Sequence, residues 1–146
     1  MRHIFKVGLI LEKRVEGFYV ELAEKVLDPK AKDLCRKLAR IAFHHAQLIE
    51  KTLSEWRILF FDRESLDFFE GELKRRNIFL DPPLADSSEE DIVKYAIGQE
   101  WKKIDFYRAF EDFFTDSWRR MHVKQLVMEE RSCIKELVAA YPDIRT

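Results

Sequence analysis

The chain has 146 residues, which fits one domain, because two domains would each be too small to bury a good core. Its 26 Lys and Arg residues nearly balance 27 Asp and Glu residues, so neither a basic nucleic-acid-binding surface nor an acidic tail is expected. No apolar run reaches the roughly 18 residues of a membrane span, and charges follow the first apolar stretch too soon for a signal peptide. We therefore expect a cytoplasmic protein without nucleic-acid or membrane partners.

The composition favours an all-helical core. Hydrophobic residues make up 47% of the chain, which excludes disorder, and four Gly and four Pro are few for an all-β protein. Charged residues reach 36%, with one Asn and three Gln, a balance typical of thermophilic proteins. The two cysteines, Cys35 and Cys133, lie far apart, which excludes a disulfide framework, a zinc ribbon and a rubredoxin-type iron site.

Hydrophobic periodicity predicts a helical hairpin over about residues 4–56. Apolar residues recur at three- and four-residue steps from Ile4 to Val26, as on one face of a helix. Asp28 as N-cap and Pro29 at the first helical position then start a second helix, whose apolar face continues to Trp56. Because the turn between them is short, the two helices must be antiparallel neighbours.

Residues 57–87 interrupt this pattern and are predicted to form a crossover. A short helix fits Asp62 to Arg76 with a stop at Asn77, and Pro82-Pro83 cannot lie inside a helix. The segment is rich in Phe and Leu, so we expect it to pack against the bundle and to offer the surface of a homodimer.

A second hairpin is predicted over about residues 88–141. Ser87 or Ser88 provides a capping-box start, and the third helix runs to about Phe113. A turn before Ser117 leads into the fourth helix, which Pro142 ends. The sequence therefore predicts an all-α, single-domain protein over 1–146, a four-helix bundle of two hairpins joined by a long crossover with a short helix, as in ferritin-like folds.

The two hairpins align without a gap at an offset of 88 residues. The offset pairs inward-facing residues of the two halves: Glu12 with Glu100, Tyr19 with Tyr107, and His45 with Cys133. A carboxylate on a buried face is costly unless it is paired or binds a metal. One such Glu alone would be read as reaching solvent or a lysine. Two at equivalent positions favour a shared internal site, to which the fourth helix adds Glu130 and the second helix adds the imidazole of His45.

These residues resemble those of a known family. The segment ILEKRVEGFYVELAEKVLDPKAKDLCRKLARIAFHH resembles the opening hairpin of the rubrerythrin-like, ferritin-like di-iron carboxylate proteins, and AIGQEWKKIDFY through LVMEERSCIKEL is similar to their closing hairpin. The resemblance implies that each hairpin supplies a Glu from its first helix and a Glu-x-x-His from its second. It further implies two irons that react with oxygen or peroxide, or that oxidise iron.

When the six metal-ligand positions of the family are placed on this sequence, four of them have the residue that the resemblance implies. These are Glu12, His45, Glu100 and Glu130, whereas Ala42 stands where the first motif has Glu and Cys133 where the second has His. We therefore expect an iron site of one or two ions that is incomplete. The rubredoxin domain of full rubrerythrins is absent, so no rubredoxin iron is expected, and neither is a nucleotide cofactor.

Several side chains near this site can be interpreted in two ways. Cys133 is either a small buried hydrophobe or a thiolate ligand that would let the site hold two unequal ions. Lys103, one turn beyond Glu100, is expected to extend to solvent, although turned inward its ammonium would replace the metal by an internal salt bridge. Tyr19 and Tyr107 are expected to be core aromatics whose hydroxyls would orient a carboxylate ligand.

Two hypotheses about function follow from the sequence. In the first, the chain is a metalloprotein with an altered di-iron site that, if it is an enzyme, is an oxidoreductase acting on oxygen, peroxide or iron. In the second, it is a metal-free relic of the fold that serves as a binding or assembly module. The losses at Ala42 and Cys133 separate the two, since a working two-iron site would need both ligands.

Overall fold

The computed structural model describes residues 4–55, 67, 70–72, 74–111 and 117–144. Four long helices lie in this part of the chain: α1 (Ile4–Lys25), α2 (Pro29–Glu55), α3 (Glu89–Glu111) and α4 (Ser117–Ala140). Helix α1 packs against α2 and α3 against α4, so the helices form two hairpins, which meet mainly where α2 contacts α3. The predicted all-α architecture of two hairpins is confirmed.

Local hydrogen bonds explain where the second and third helices begin. The amide of Ala31 donates to Asp28 Oδ2 at 3.2 Å, which makes Asp28 the N-cap of α2. At the start of α3, Asp91 N donates to Ser88 Oγ at 3.1 Å while Ser88 N donates to Asp91 Oδ2 at 3.0 Å. This reciprocal pair is a capping box, so Ser88 is the cap of α3, whereas Ser87 Oγ accepts from the amide of Leu84 in the preceding turn.

The described part of the crossover lies against α3. Residues 67, 70–72 and 74–75 are helical, as predicted for a short helix before Asn77. Asn77 takes the left-handed conformation with φ of 55°, which Asn tolerates better than most residues, and Lys102 Nζ donates to its carbonyl at 2.8 Å. Glu72, buried within this segment, pairs with Arg75 and Arg76. Most of the Phe-rich stretch lies outside the described residues, so a dimer surface there stays a prediction.

The core between the two hairpins is apolar except at its centre. Tyr107, Phe106, Leu11 and Ile49 are among its most deeply buried side chains. Charged residues from all four helices are buried with them: Glu12, His45, Glu100, Lys103 and Glu130. In the part of the chain that the structure describes, no helix combines the length and the apolar character needed to cross a membrane.

Gly8 makes room for the tyrosine nearest this polar centre. A Cβ atom at Gly8 would lie 3.1 Å from Tyr107 Cε1 and 3.2 Å from its hydroxyl oxygen, closer than ordinary contact. The absent side chain therefore lets the ring of α3 pack directly on the backbone of α1.

Replacing Gly8 by Ala tests this packing, with Gly98→Ala as the matched control. A Cβ at Gly98 would meet nothing within 4 Å, so Gly98→Ala should stabilise α3 by up to about 1 kcal/mol through its helix propensity. Gly8→Ala should instead lose roughly 1 kcal/mol, because overpacking against Tyr107 outweighs that gain. Urea denaturation measures both, and an equal gain in the two variants would contradict the contact.

Candidate metal centre

All four helices contribute to one buried charged cluster. Glu12 comes from α1, His45 from α2, Glu100 and Lys103 from α3, and Glu130 from α4. Their exposed fractions are between 0% and 7%, so the cluster is cut off from bulk water. The structure thus brings Glu12, His45, Glu100 and Glu130 together in one cluster, with Lys103 among them.

The position of Lys103 on α3 explains why it is inside. Ala96, Glu100, Lys103 and Tyr107 follow one another at steps of four, three and four residues, the spacing of a single helix face. All four side chains are buried, and Lys103 is only 1% exposed. The expectation that Lys103 extends to solvent is therefore wrong. Lys103 lies in the middle of an inward helix face, where carboxylates are close to its ammonium group and solvent is out of reach.

The ammonium of Lys103 touches all three carboxylates of the cluster. Its Nζ lies 2.9 Å from Glu130 Oε2, 3.0 Å from Glu12 Oε2 and 3.4 Å from Glu100 Oε1. It donates hydrogen bonds to Glu12 Oε2 and Glu100 Oε1, whereas its close contact with Glu130 is an ion pair, since Glu130 Oε2 has no aligned hydrogen bond among the described residues. Lys103 consequently links α1, α3 and α4 at a single buried point.

The imidazole of His45 lies close to two of the same carboxylates, Glu12 and Glu130. Its Nδ1 is 3.2 Å from Glu130 Oε1 and 3.8 Å from Glu12 Oε2, yet it has no aligned hydrogen bond within the described residues. One ligand atom each of Glu12, His45 and Glu130 lie within 4.8 Å of one another. Ligand atoms that share an ion at about 2 Å are roughly 3–4.5 Å apart, so these three residues fit a metal ion after a small adjustment.

Glu12 and Lys103 form the ion pair at the centre. Burial alone would raise the pKa of Glu12, but the charge of Lys103 and the neighbouring His45 outweigh it and lower the pKa to about 2. Burial would lower the pKa of Lys103, and the surrounding carboxylates instead raise it well above its ordinary value. Both groups are therefore charged at neutral pH, and the opposite charge of each compensates the other.

The other two carboxylates hold their protons more tightly. Burial, followed by the charge of Glu130, raises the pKa of Glu100 well above its ordinary value. Burial, followed by the charge of Glu12, raises the pKa of Glu130 to about 7. Lys103 and Glu12 thus compensate each other, while burial favours the protonated forms of Glu100 and Glu130.

Both predicted tyrosines, Tyr19 and Tyr107, are buried near the charged cluster. The hydroxyl of Tyr107 in the second hairpin donates to Glu12 Oε1 of the first at 3.1 Å. Burial and then the charge of Glu100, which lies in the second hairpin, raise the pKa of Tyr19 well above its ordinary value. The hydrogen bond from Tyr107 to Glu12 thus joins the two hairpins, which sequence spacing alone does not reveal.

The two positions that depart from the family pattern are also buried. Ala42 is 2% exposed and Cys133 is 4% exposed. Burial, and then the charges of Glu100 and Glu130, raise the pKa of the Cys133 thiol well above its ordinary value, so it remains a thiol here. Cys133 does not join the group formed by Glu12, His45 and Glu130.

Comparison with known proteins adds no further assignment. No protein-family model matches the chain, and no similar curated protein or solved structure was found for it. The structure itself supports an all-helical bundle with a buried Glu-His-Glu group that could hold a metal ion.

The two central carboxylates should respond differently to neutralisation. Glu12→Gln removes the main counter-charge of the buried Lys103 and should cost about 3 kcal/mol of unfolding free energy. Glu100→Gln replaces a carboxyl group that already holds its proton, so its cost should stay within about 1 kcal/mol. Chemical denaturation of both variants in chelator measures the difference, and equal losses would show that Glu100 is ionised and pairs with Lys103 as strongly as Glu12 does.

The metal-free protein should become less stable as the pH rises from about 4.5 to 7. Over this range the unfolded chain has released the proton of Glu130 while the folded chain still holds it, so stability falls with pH. The loss is on the order of 2–3 kcal/mol. Glu12 acts oppositely, since its lowered pKa gives stability that is present above about pH 4.5 and lost as the pH falls towards 2.

Denaturation in chelator at several pH values checks this prediction. Glu130→Gln has no proton to release and should reduce the decline between about pH 4.5 and 7, leaving the part that Glu100 contributes through its own raised pKa. An unchanged decline in that variant would assign the effect to another group.

Proposed function

We propose that this protein is a metal-binding helical bundle of the di-iron carboxylate kind that holds a single divalent transition-metal ion. Glu12, His45 and Glu130 hold the ion, and the ammonium of Lys103 takes the place of a second one. The observation that carries the proposal is the position of Lys103 Nζ, which lies within 3.4 Å of three carboxylates. Beside it, Glu12, His45 and Glu130 have ligand atoms close enough together to hold one metal ion.

The formal charges of the cluster support one divalent ion and not two. Counted in their ionised forms, three carboxylates and one ammonium leave an excess of two negative charges in a buried place, where uncompensated charge is costly. One divalent cation balances that excess, whereas two would leave the cluster positive. Two bound protons are the alternative compensation, so a metal ion competes with protons for this centre.

The unsatisfied imidazole points to a ligand function for His45. A buried polar atom without a hydrogen bond costs free energy, and His45 Nδ1 is such an atom among the described residues. Two carboxylates and one imidazole are a donor set that suits iron, manganese or zinc. Within this set, the hydrogen bond from Tyr107 holds Glu12 in place, as outer residues do for metal ligands.

The type of metal decides the activity. A bound iron would supply redox chemistry on oxygen, peroxide or further iron, which makes an oxidoreductase in the cytoplasm the function we propose. The chain's own contribution is to orient Glu12 and Glu130, to exclude water, and to leave coordination positions open, since only three protein ligands surround the ion.

A metal-free binding or assembly module is the second candidate. It is favoured by the same lysine, because Lys103 already gives each carboxylate an internal partner without any metal. The two candidates differ in whether the remaining negative charge recruits a cation or keeps its protons.

Metal titration distinguishes the candidates. After removal of metal by a chelator, we expect iron(II) or zinc(II) to bind at about one equivalent per chain and to raise the melting temperature, because the folded state alone has the site. His45→Gln should weaken binding at least about tenfold through loss of one ligand. His44→Gln is the matched control, since His44 is the exposed neighbour of His45 and should leave affinity unchanged.

Variants of Lys103 complete the test. Lys103→Met keeps the length of the side chain but removes its charge, so it should bind the first ion more tightly by about tenfold or more. Replacing Lys103 by Val together with Ala42→Glu and Cys133→His should admit a second ion. Two ions in the unmodified chain would contradict the role of Lys103, and no binding by either the chain or Lys103→Met would favour the metal-free module.

A further inference from the structure

A continuous groove runs along the outer seam between α1 and α2. It consists of two hollows of about 660 and 420 Å³ that share Glu16, Val20 and Phe43. We call it the α1/α2 groove, and small residues of both helices, Gly17, Ala23, Ala39 and Ala46, line it between charged side chains. Val20 and Phe43 are 47% and 44% exposed although both are large and apolar. An exposed apolar groove between charged rims is typical of a protein-protein contact.

The two rims of the groove differ in charge. Glu16 and Glu24 lie on the α1 rim, whereas Lys32, Arg36 and Arg40 lie on the α2 rim. The ion pairs that the structure describes for this part of the chain do not join the two rims, since Arg36 pairs with Asp33 of its own helix. Lys32 donates to the carbonyl of Ala23. The rims thus offer charge to a molecule outside the chain.

The antiparallel hairpin places these opposite charges at matching heights. Glu12 of α1 and His45 of α2 meet across the seam. Because the helices are antiparallel, a residue a given number of positions after Glu12 faces the residue about the same number of positions before His45. By this count Glu16 stands level with Arg40, within one turn, and Glu24 with Lys32. A molecule that presented the same two rims in exchanged positions would therefore meet complementary charge along the whole groove.

A second copy of the chain is such a molecule. A two-fold axis parallel to the helices and running along the groove places α1 of one copy over α2 of the other at the same height. Each acidic rim then faces a basic rim, and the contact occurs twice, as in any isologous dimer. A two-fold axis across the helices would instead place α1 on α1 and α2 on α2, acid against acid and base against base.

We propose that two copies of this chain form a homodimer through the α1/α2 groove, related by a two-fold axis along the hairpin. Charge complementarity of the rims selects this occupant and this orientation. In the dimer Phe43 of one copy comes within one turn of Gly17 of the other. Gly17 has no side chain, and no atom lies within 4 Å of where its Cβ would be, so it leaves open space for the aromatic ring. The groove differs from the Phe-rich crossover and is independent of the metal centre.

Charge-swapped variants test the proposal. Sedimentation analysis of the whole chain should show a dimer, and Glu16→Arg with Glu24→Arg should weaken dimerisation by about 100-fold because both rims become basic. Arg36→Glu with Arg40→Glu should do the same because both rims become acidic. An equimolar mixture of the two double variants should recover the dimer, since each basic rim again faces an acidic one.

Controls separate the interface from general effects on folding. Glu129→Arg with Glu136→Arg changes the same charges on the exposed face of α4 and should leave the dimer unchanged. Phe43→Ala should weaken the dimer without changing the charge. A monomeric unmodified chain at about 100 µM, where even weak dimers assemble, would overturn the proposal. Double variants that stay dimeric, or well-folded variants whose mixture stays monomeric, would overturn it as well.

Discussion

The contact between the Lys103 ammonium and three carboxylates is the interaction on which the interior depends. Without it Glu12, Glu100 and Glu130 would be buried acids from three different helices that repel one another. With it, Nζ–O distances of 2.9–3.4 Å join α1, α3 and α4 at one point of the core. Such a buried ion pair adds little net stability, because taking the charges out of water costs about as much as the attraction returns. It does, however, penalise any helix register that would leave one member unpaired.

The same contact gives the internal repeat its functional asymmetry. Under the offset of 88 residues, Lys103 corresponds to Val15, Glu130 to Ala42, and Cys133 to His45. A symmetric frame would present equivalent donors to two cations. Here Glu12, His45 and Glu130 form one group of possible ligands, while the second half adds the Lys103 ammonium, a Glu100 whose pKa burial raises, and the Cys133 thiol. The two halves therefore differ in their buried polar groups, and Lys103 is a buried cation with no counterpart in the first half.

Packing on both sides of the first hairpin separates two kinds of chemistry. The inward face of α1 and α2 carries the charged centre, where Gly8 admits Tyr107 and the tyrosine in turn fixes Glu12. The outward face carries small residues between charged rims, which suits recognition of another surface more than catalysis. One hairpin thus combines a buried ionic site with an exposed groove, since opposite faces of a helix meet different environments.

The helices, their caps and the inward carboxylates were determined by the sequence alone. Asp28 and Ser88 bond to amides three residues away, so local sequence suffices to place both helix starts. The tertiary structure decided the direction of Lys103, because its partner Glu12 lies 91 residues away and its only local partner, Glu100, is also compatible with an outward lysine. It also decided which carboxylates have raised pKa values and that Tyr107 donates to Glu12 of the other hairpin. These properties depend on distances of a few ångströms between helices, which hydrophobic periodicity does not encode.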